Sequence, residues 1–230
     1  LCLLYGAWNI GYQHYIALGQ AGDVGMLTEF LYGFFQLLPL IIVSHVVGLG
    51  IEFYFASKKG HAVEEGFLVT GMLIPLIMPP DIPLWMLAIA TAFAVIIGKE
   101  AFGGTGMNIL NIALTARVFI FFAYPTEISG DLAWVATDQN VFHQLLGLGG
   151  TAPDGYSAAT PLALAAKGGW ENVSYSVSQM FWGTIPGSIG ETCKPAILLG
   201  AAYLAFTKVA SWRIMLSMII GAATMGLLLN

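Results

Sequence analysis

Two aliphatic hydroxyl groups, on Ser157 and Thr160, lie close together in the stretch Asp154-Gly155-Tyr156-Ser157-Ala158-Ala159-Thr160, and either could accept a phosphoester if it is exposed. Asp154-Gly155 favours a turn, which presents the following residues to solvent. Ala158 and Ala159 are small enough to leave room for a bulky phosphoryl donor, and Asp154 could help hold a metal during such a transfer. The same residues have a plainer meaning. Threonine caps helices well and proline suits the first helical position, so Thr160-Pro161 is a good helix start. Spacing alone favours the cap. The two roles are compatible, because the free amides and dipole at a helix N-terminus attract a phosphate.

The elements around this polar stretch are apolar. The chain of 230 residues is 57% hydrophobic and 9% charged, whereas soluble domains carry about a quarter charged residues. A bilayer core about 30 Å thick needs about 20 apolar residues per helix. Apolar runs cover 31–55, 82–98, 109–124, 195–206 and 214–229. Residues 66–78 are too few to span and end in Pro79-Pro80-Asp81-Ile82-Pro83, which must break a helix. The expected fold is an all-α polytopic membrane protein of about five transmembrane helices. The chain reads as one membrane domain over 1–230, cut from a longer protein, because Leu1 is not a start methionine and Asn230 closes an apolar run. The first residues lack the basic start and cleavage pattern of a signal peptide.

Two glycine-rich segments interrupt the apolar pattern, Phe102-Gly103-Gly104-Thr105-Gly106-Met107-Asn108 and Ile185-Pro186-Gly187-Ser188-Ile189-Gly190-Glu191. The first lacks the Lys-Ser or Lys-Thr of a nucleotide-binding loop. Each could be a tight interhelical turn, or a broken or re-entrant half-helix whose backbone faces protein or a water-filled cavity. Because each segment abuts an apolar run, the half-helix is favoured, and the chain then holds roughly one inverted repeat. Cys2 and Cys193 show no paired spacing. His14, His45, His61 and His143 show no ligand spacing and read as interfacial or loop residues.

Basic residues set the orientation. Lys58, Lys59, Lys99, Lys208 and Arg213 fall on one side, which the positive-inside tendency makes cytoplasmic. The loop region 125–191 holds Glu127, Asp131, Asp138, Asp154, Glu171 and Glu191 against Lys167 alone. It is free to be translocated, which puts Thr160 outside. Arg117, inside an apolar run, must face protein or reach toward an interface. Glu100 is the acidic residue most nearly embedded among apolar segments. A helix-end salt bridge with Lys99 or Arg117 would satisfy it there. A net charge of −5 without a basic patch gives no support for nucleic-acid binding.

Several segments together resemble one family. Lys99-Glu100-Ala101-Phe102-Gly103-Gly104-Thr105-Gly106, Ala116-Arg117-Val118-Phe119-Ile120-Phe121-Phe122-Ala123-Tyr124-Pro125 with Ile128-Ser129-Gly130-Asp131, the second glycine segment, and Ala210-Ser211-Trp212-Arg213-Ile214 fall in order. They resemble the NqrB membrane subunits of the bacterial sodium-translocating NADH:quinone oxidoreductases. Ser157-Ala158-Ala159-Thr160 resembles the Ser-Gly-Ala-Thr motif of that family, with Ala158 in place of glycine. The family's Asn-Pro-Ala-Leu reads Asn111-Ile112-Ala113-Leu114 here, so a helix kink or start is at risk, and 139–153 looks like added loop. The RnfD subunits of the Rnf-type ferredoxin:NAD oxidoreductases share the threonine motif, but the Gly-Gly-Thr-Gly and Phe-Phe-Ala-Tyr-Pro segments fit the quinone-reducing family better. A small-solute channel or transporter would also show glycine-broken helices, without needing the threonine motif.

The resemblance implies a multi-pass subunit of the bacterial inner membrane in a six-subunit complex. A flavin transferase would place FMN on Thr160, with Ser157, Asp154, Ala158 and Ala159 forming its surroundings. Electrons from NADH would pass through partner subunits to that FMN, then to a noncovalent riboflavin and to ubiquinone. Na⁺ movement is coupled to these steps, with Glu100 either lining the sodium path or held in the helix-end salt bridge, and lipid surrounds the protein.

Overall fold

The computed structural model describes residues 1–60, 66–104, 106–130, 134–137, 140–150 and 158–229. Among these there are helices and connecting segments but no strand. Helix α1 (Cys2–Ala17) packs antiparallel on α2 (Met26–Lys59). Glycines set their separation: a Cβ built on Gly33 would lie 1.8 Å from the Ala7 carbonyl oxygen, and one on Gly11 would lie 1.9 Å from that of Glu29. Small residues bring helix backbones together in this way in apolar surroundings. The Trp8 indole N–H donates to Glu29 Oε2 at 2.7 Å across the same seam.

The 34 residues of α2 span about 50 Å at the α-helical rise. Helix α3 (Gly66–Leu76) returns beside it, with Phe67 filling the hollow at Gly48 and the Ser44 hydroxyl donating to the Gly71 carbonyl at 2.7 Å. The proline-rich break follows. Helix α4 (Leu84–Gly98) then runs in the direction of α2, and α5 (Ile112–Ala123) lies antiparallel to it, with Phe93 stacked on Phe119 and Trp85 edge-on to Tyr124. The core of this bundle is Leu37, Leu40, Phe67, Ile74, Met78, Leu87, Ala90, Ala94, Ala116 and Ile120.

Beyond α5 the elements shorten to α6 (Val141–Leu146), α7 (Pro161–Gly168) and α8 (Val177–Trp182), before α9 (Lys194–Phe206) and α10 (Trp212–Leu229). The last two show most of their apolar side chains at the surface, among them Leu198, Phe206, Ile214 and Ile219. A surface this apolar has to be covered by lipid or protein.

Several expectations change. Two helical stretches, Met26–Lys59 and Leu84–Phe102, are long and apolar enough to cross a bilayer, while Gly66–Leu76, Ile112–Ala123, Lys194–Phe206 and Trp212–Leu228 are shorter apolar helices. The breaks at Pro79-Pro80 and the glycine segments cut the others short. Helix α5 keeps its start without the proline of the family pattern, because Asn111 Oδ1 accepts the Leu114 amide at 3.1 Å and so supplies the cap.

The two glycine segments also differ from each other. The first is a 3-10 turn (Glu100–Phe102) followed by glycines at positive φ, Gly103 at 117° and Gly104 at 108°. The second is irregular backbone buried against α1 and α3: Asn9 Nδ2 donates to the Ile185 carbonyl at 3.0 Å and the Gly190 amide to the Leu76 carbonyl at 2.7 Å. Such backbone survives at membrane depth only where protein satisfies it.

Two of the four histidines are core residues rather than interfacial ones. His14 and His143 are fully buried and sandwich the Tyr32 ring, each with its centroid 4.0 Å from it. His143 belongs to the stretch that reads as added loop, and it docks that stretch onto α2. Its Nε2 faces the Tyr32 carbonyl oxygen at 2.8 Å, and its Nδ1 accepts the Asn140 amide at 3.3 Å. His45 lies in α2 with its Nδ1 2.9 Å from the Ile41 carbonyl oxygen, and His61 lies outside the described residues. Asp81, within the proline break, holds the neighbouring segment by accepting the Thr137 amide at 2.6 Å and the Thr137 hydroxyl at 2.8 Å.

Candidate functional site

Thr160 begins α7, as the Thr-Pro pair predicts. Its Oγ1 accepts the Ala163 amide at 3.3 Å, and its own amide donates to the Gly130 carbonyl at 2.9 Å. Gly130 matters for what it lacks. A Cβ there would stand 3.2 Å from Thr160 Oγ1 and 3.0 Å from the Ala163 Cβ, crowding the approach to the hydroxyl. The structure therefore anchors the threonine backbone while keeping one flank of its side chain clear.

Ala159 and Ala158 precede it as buried residues, and Ala158 packs with Ala17 and Val135. Their small size allows close packing of the segment that delivers Thr160. Asp154 and Ser157 lie outside the described residues.

Thr160 lines a cavity of about 490 Å³, within the usual range of small-ligand sites. Its walls come from five parts of the chain: Arg117 and Phe121 of α5; Ile128, Gly130 and Trp134; the start of α7; Met180 of α8; and residues between Ile185 and Lys194. The apolar side is Phe121, Ile128, Trp134, Met180 and Ile185. Among the described lining residues the charged ones are Arg117, Lys194 and Glu191.

Arg117 is directed into protein, one of the two alternatives its position in an apolar run allowed. Its Nη1 donates to the Ile77 carbonyl at 2.5 Å and to Ser188 Oγ at 3.1 Å, and its guanidinium lies 5.5 Å from the centre of the Trp134 ring. The Glu191 carboxylate stands off at 3.7 Å and its side chain is 56% exposed, a loose pair of the kind that contributes little. Lys194, in the first turn of α9, donates to the Glu191 carbonyl at 2.7 Å. Its place in the site was not anticipated, although a lysine opening an apolar helix is itself a signal. Gly130 and Trp134 gave no signal, because only the folded chain brings them beside Thr160.

Glu100 sits at the opposite end, where α2 and α4 finish. Its ion-pair partner is Lys59, at 2.9 Å, and not Lys99 or Arg117. Lys99 is taken by Glu52, and both of those residues are buried. The crossing follows from packing: α2 and α4 run parallel, so the end of one meets the end of the other. Arg117 points instead toward the half of the molecule where α3 ends. Among the described residues there is no cluster of three or more metal-ligating side chains.

The architecture is that of a helical membrane protein with a mostly apolar cavity, bearing two cations, beside a capping threonine. The chain belongs to the NQR2, RnfD, RnfE family, whose model matches residues 1–230. It is 46% identical over 247 residues to the B subunit of the Na(+)-translocating NADH-quinone reductase of Chromohalobacter salexigens, covering 98% of this chain and 56% of that protein. It is 42% identical over 252 residues to the same subunit of Ectopseudomonas mendocina, covering 99% and 59%, and 38% identical over 230 residues to that of Neisseria meningitidis, covering 97% and 52%. The chain thus spans rather more than half the length of these relatives.

Proposed function

We propose that the protein serves as the membrane electron-carrying subunit of a bacterial sodium-translocating NADH:quinone oxidoreductase, with FMN joined to Thr160 through a phosphoester. The observation that carries this reading is that Thr160, the residue with the attachment-motif likeness, lines a cavity that combines an apolar side with two cations. The named activity of the relatives points the same way.

The residues present suit the group. Gly130 leaves the flank of the hydroxyl clear, Phe121, Ile128, Trp134 and Met180 offer flat or pliable apolar surface for a ring system, and the α7 N-terminus favours an anion. Attachment joins Thr160 Oγ1 to the flavin-side phosphorus of a flavin dinucleotide donor. The pyrophosphate bond breaks and the nucleoside monophosphate leaves with the hydroxyl proton. A bound flavin supplies one-electron transfer between NADH-derived electrons and quinone, with its potential set by surrounding charge and burial.

In this reading the partners are the other subunits of the complex, a flavin transferase, ubiquinone and a noncovalent riboflavin shared with the rest of the full-length protein. The chain crosses the bacterial inner membrane about five times, as roughly one inverted repeat. The end bearing Lys58, Lys59 and Lys99 is cytoplasmic and Thr160 is outside. Glu100 lines the sodium path at the cytoplasmic end, where an entering ion replaces the half-exposed Lys59 ammonium as its partner.

The test is fluorescence of the denatured protein in a gel under ultraviolet light, since only a covalent flavin survives denaturation. Protein from cells that supply the transferase is expected to fluoresce, and Thr160→Val to be dark. An equally bright Thr160→Val band ends the proposal.

A further inference from the structure

We infer that Arg117 and Lys194 form the seat for the phosphate of the group carried on Thr160, the phosphate displacing the loose pairing of Arg117 with Glu191. The inference rests on the flavin-bearing role proposed for Thr160 and adds to it the residues that receive the anion.

Charge is the first support. Among the described residues lining the cavity, two cations face one carboxylate, which leaves one positive charge over. A phosphodiester between threonine and a flavin carries one negative charge, so it neutralises the site. Geometry is the second. Arg117 is fixed through Nη1 by the Ile77 carbonyl and Ser188 Oγ, which leaves the rest of its planar fork for another acceptor. Its contact with Glu191, at 3.7 Å, is too long for a hydrogen bond. A phosphate oxygen at ordinary charge-assisted distance would outcompete that carboxylate. Lys194 extends from the first turn of α9 and uses one of its donors on the Glu191 carbonyl. An ammonium has three donors, so others stay available to the same anion.

The structural alternative is that Arg117 only ties α5 to the end of α3 at Ile77 and to the second glycine segment at Ser188. The two roles separate experimentally. In the full membrane complex produced with its flavin transferase, covalent flavin per protein chain is read by in-gel fluorescence against protein stain. The midpoint potential of that flavin is read by spectroelectrochemistry. Arg117→Met and Lys194→Gln are each expected to lower the initial rate of flavin incorporation about tenfold, the order expected for losing a hydrogen bond to a charged group. Flavin that does attach should have a more negative potential, because a nearby positive charge is gone, and Arg117→Lys should recover most of both properties.

Lys194 is exposed, so Lys194→Gln decides the matter even if Arg117→Met fails to assemble. Wild-type incorporation and unchanged potential in Lys194→Gln overturn the proposed seat. A wild-type protein with no fluorescent band overturns the flavin reading itself, and the seat with it.

Discussion

Glu100 shows how a single carboxylate is read differently before and after folding. In the sequence its neighbours are Lys99 and the apolar run before it. In the structure the Lys59 ammonium reaches it from α2, while Lys99 turns away to the buried Glu52. A buried carboxylate is tolerated only when paired or hydrated, so removing its charge has two separable effects. Glu100→Gln takes the carboxylate from the half-exposed Lys59, which costs little stability because that ammonium keeps the Glu100 carbonyl as an acceptor and can reach solvent. If the carboxylate also receives sodium, sodium-dependent turnover should demand several-fold more Na⁺, with NADH oxidation by the electron-input subunits unaffected. An unchanged sodium dependence would remove Glu100 from the path.

Helix pairs make sharper demands. The α1–α2 seam depends on glycines where the backbones meet, and Gly33 faces the Ala7 carbonyl with no space for a methyl group. Gly33→Ala forces the helices apart or bends one of them, a strain of about 1–3 kcal/mol or more for an overpacked contact. The expected result is a clear loss of thermal stability of the detergent-solubilised complex, with Gly50→Ala as the control, since a Cβ at Gly50 meets nothing within 4 Å. Equal melting of the two variants would refute the close seam. The elements themselves were largely legible: each of the apolar runs at 31–55, 82–98, 109–124, 195–206 and 214–229 contains or matches one helix, with 82–98 and 109–124 trimmed at their ends, because propensity, proline and glycine act locally. Their lengths were less so. Asn111 kept the start of α5 by capping it, and the second glycine segment was recruited into the interior, an outcome set by what α1 and α3 offer it.

Across the whole molecule, the polar region is docked to the bundle through a few buried side chains, and this gives the fold a pH dependence. Burial in the stack on Tyr32 pushes the His143 imidazole below its ordinary value of 6.5, against the opposing pull of the Tyr32 carbonyl. The folded state therefore binds fewer protons than the unfolded chain. Stability from neutral His143 is complete above about pH 6.5 and is lost as pH falls from there toward the lowered folded-state value. Thermal stability of the protein should decline as pH falls below about 6.5. His143→Phe keeps a ring against Tyr32 but has no proton to gain, so its decline should be shallower. The same slope in both proteins would show that the docking is not what titrates.

The sequence by itself determined the solvent of this protein, most of its helices, the cap at Thr160 and the family likeness, because each depends on composition or on residues a few positions apart. Tertiary structure alone decided which charges meet. It brought Lys59 to Glu100, set Arg117 and Lys194 in the cavity that Thr160 lines, and buried His14 and His143 around Tyr32. Those partners stand far apart along the chain, and nothing local encodes which of several equally suitable side chains will arrive.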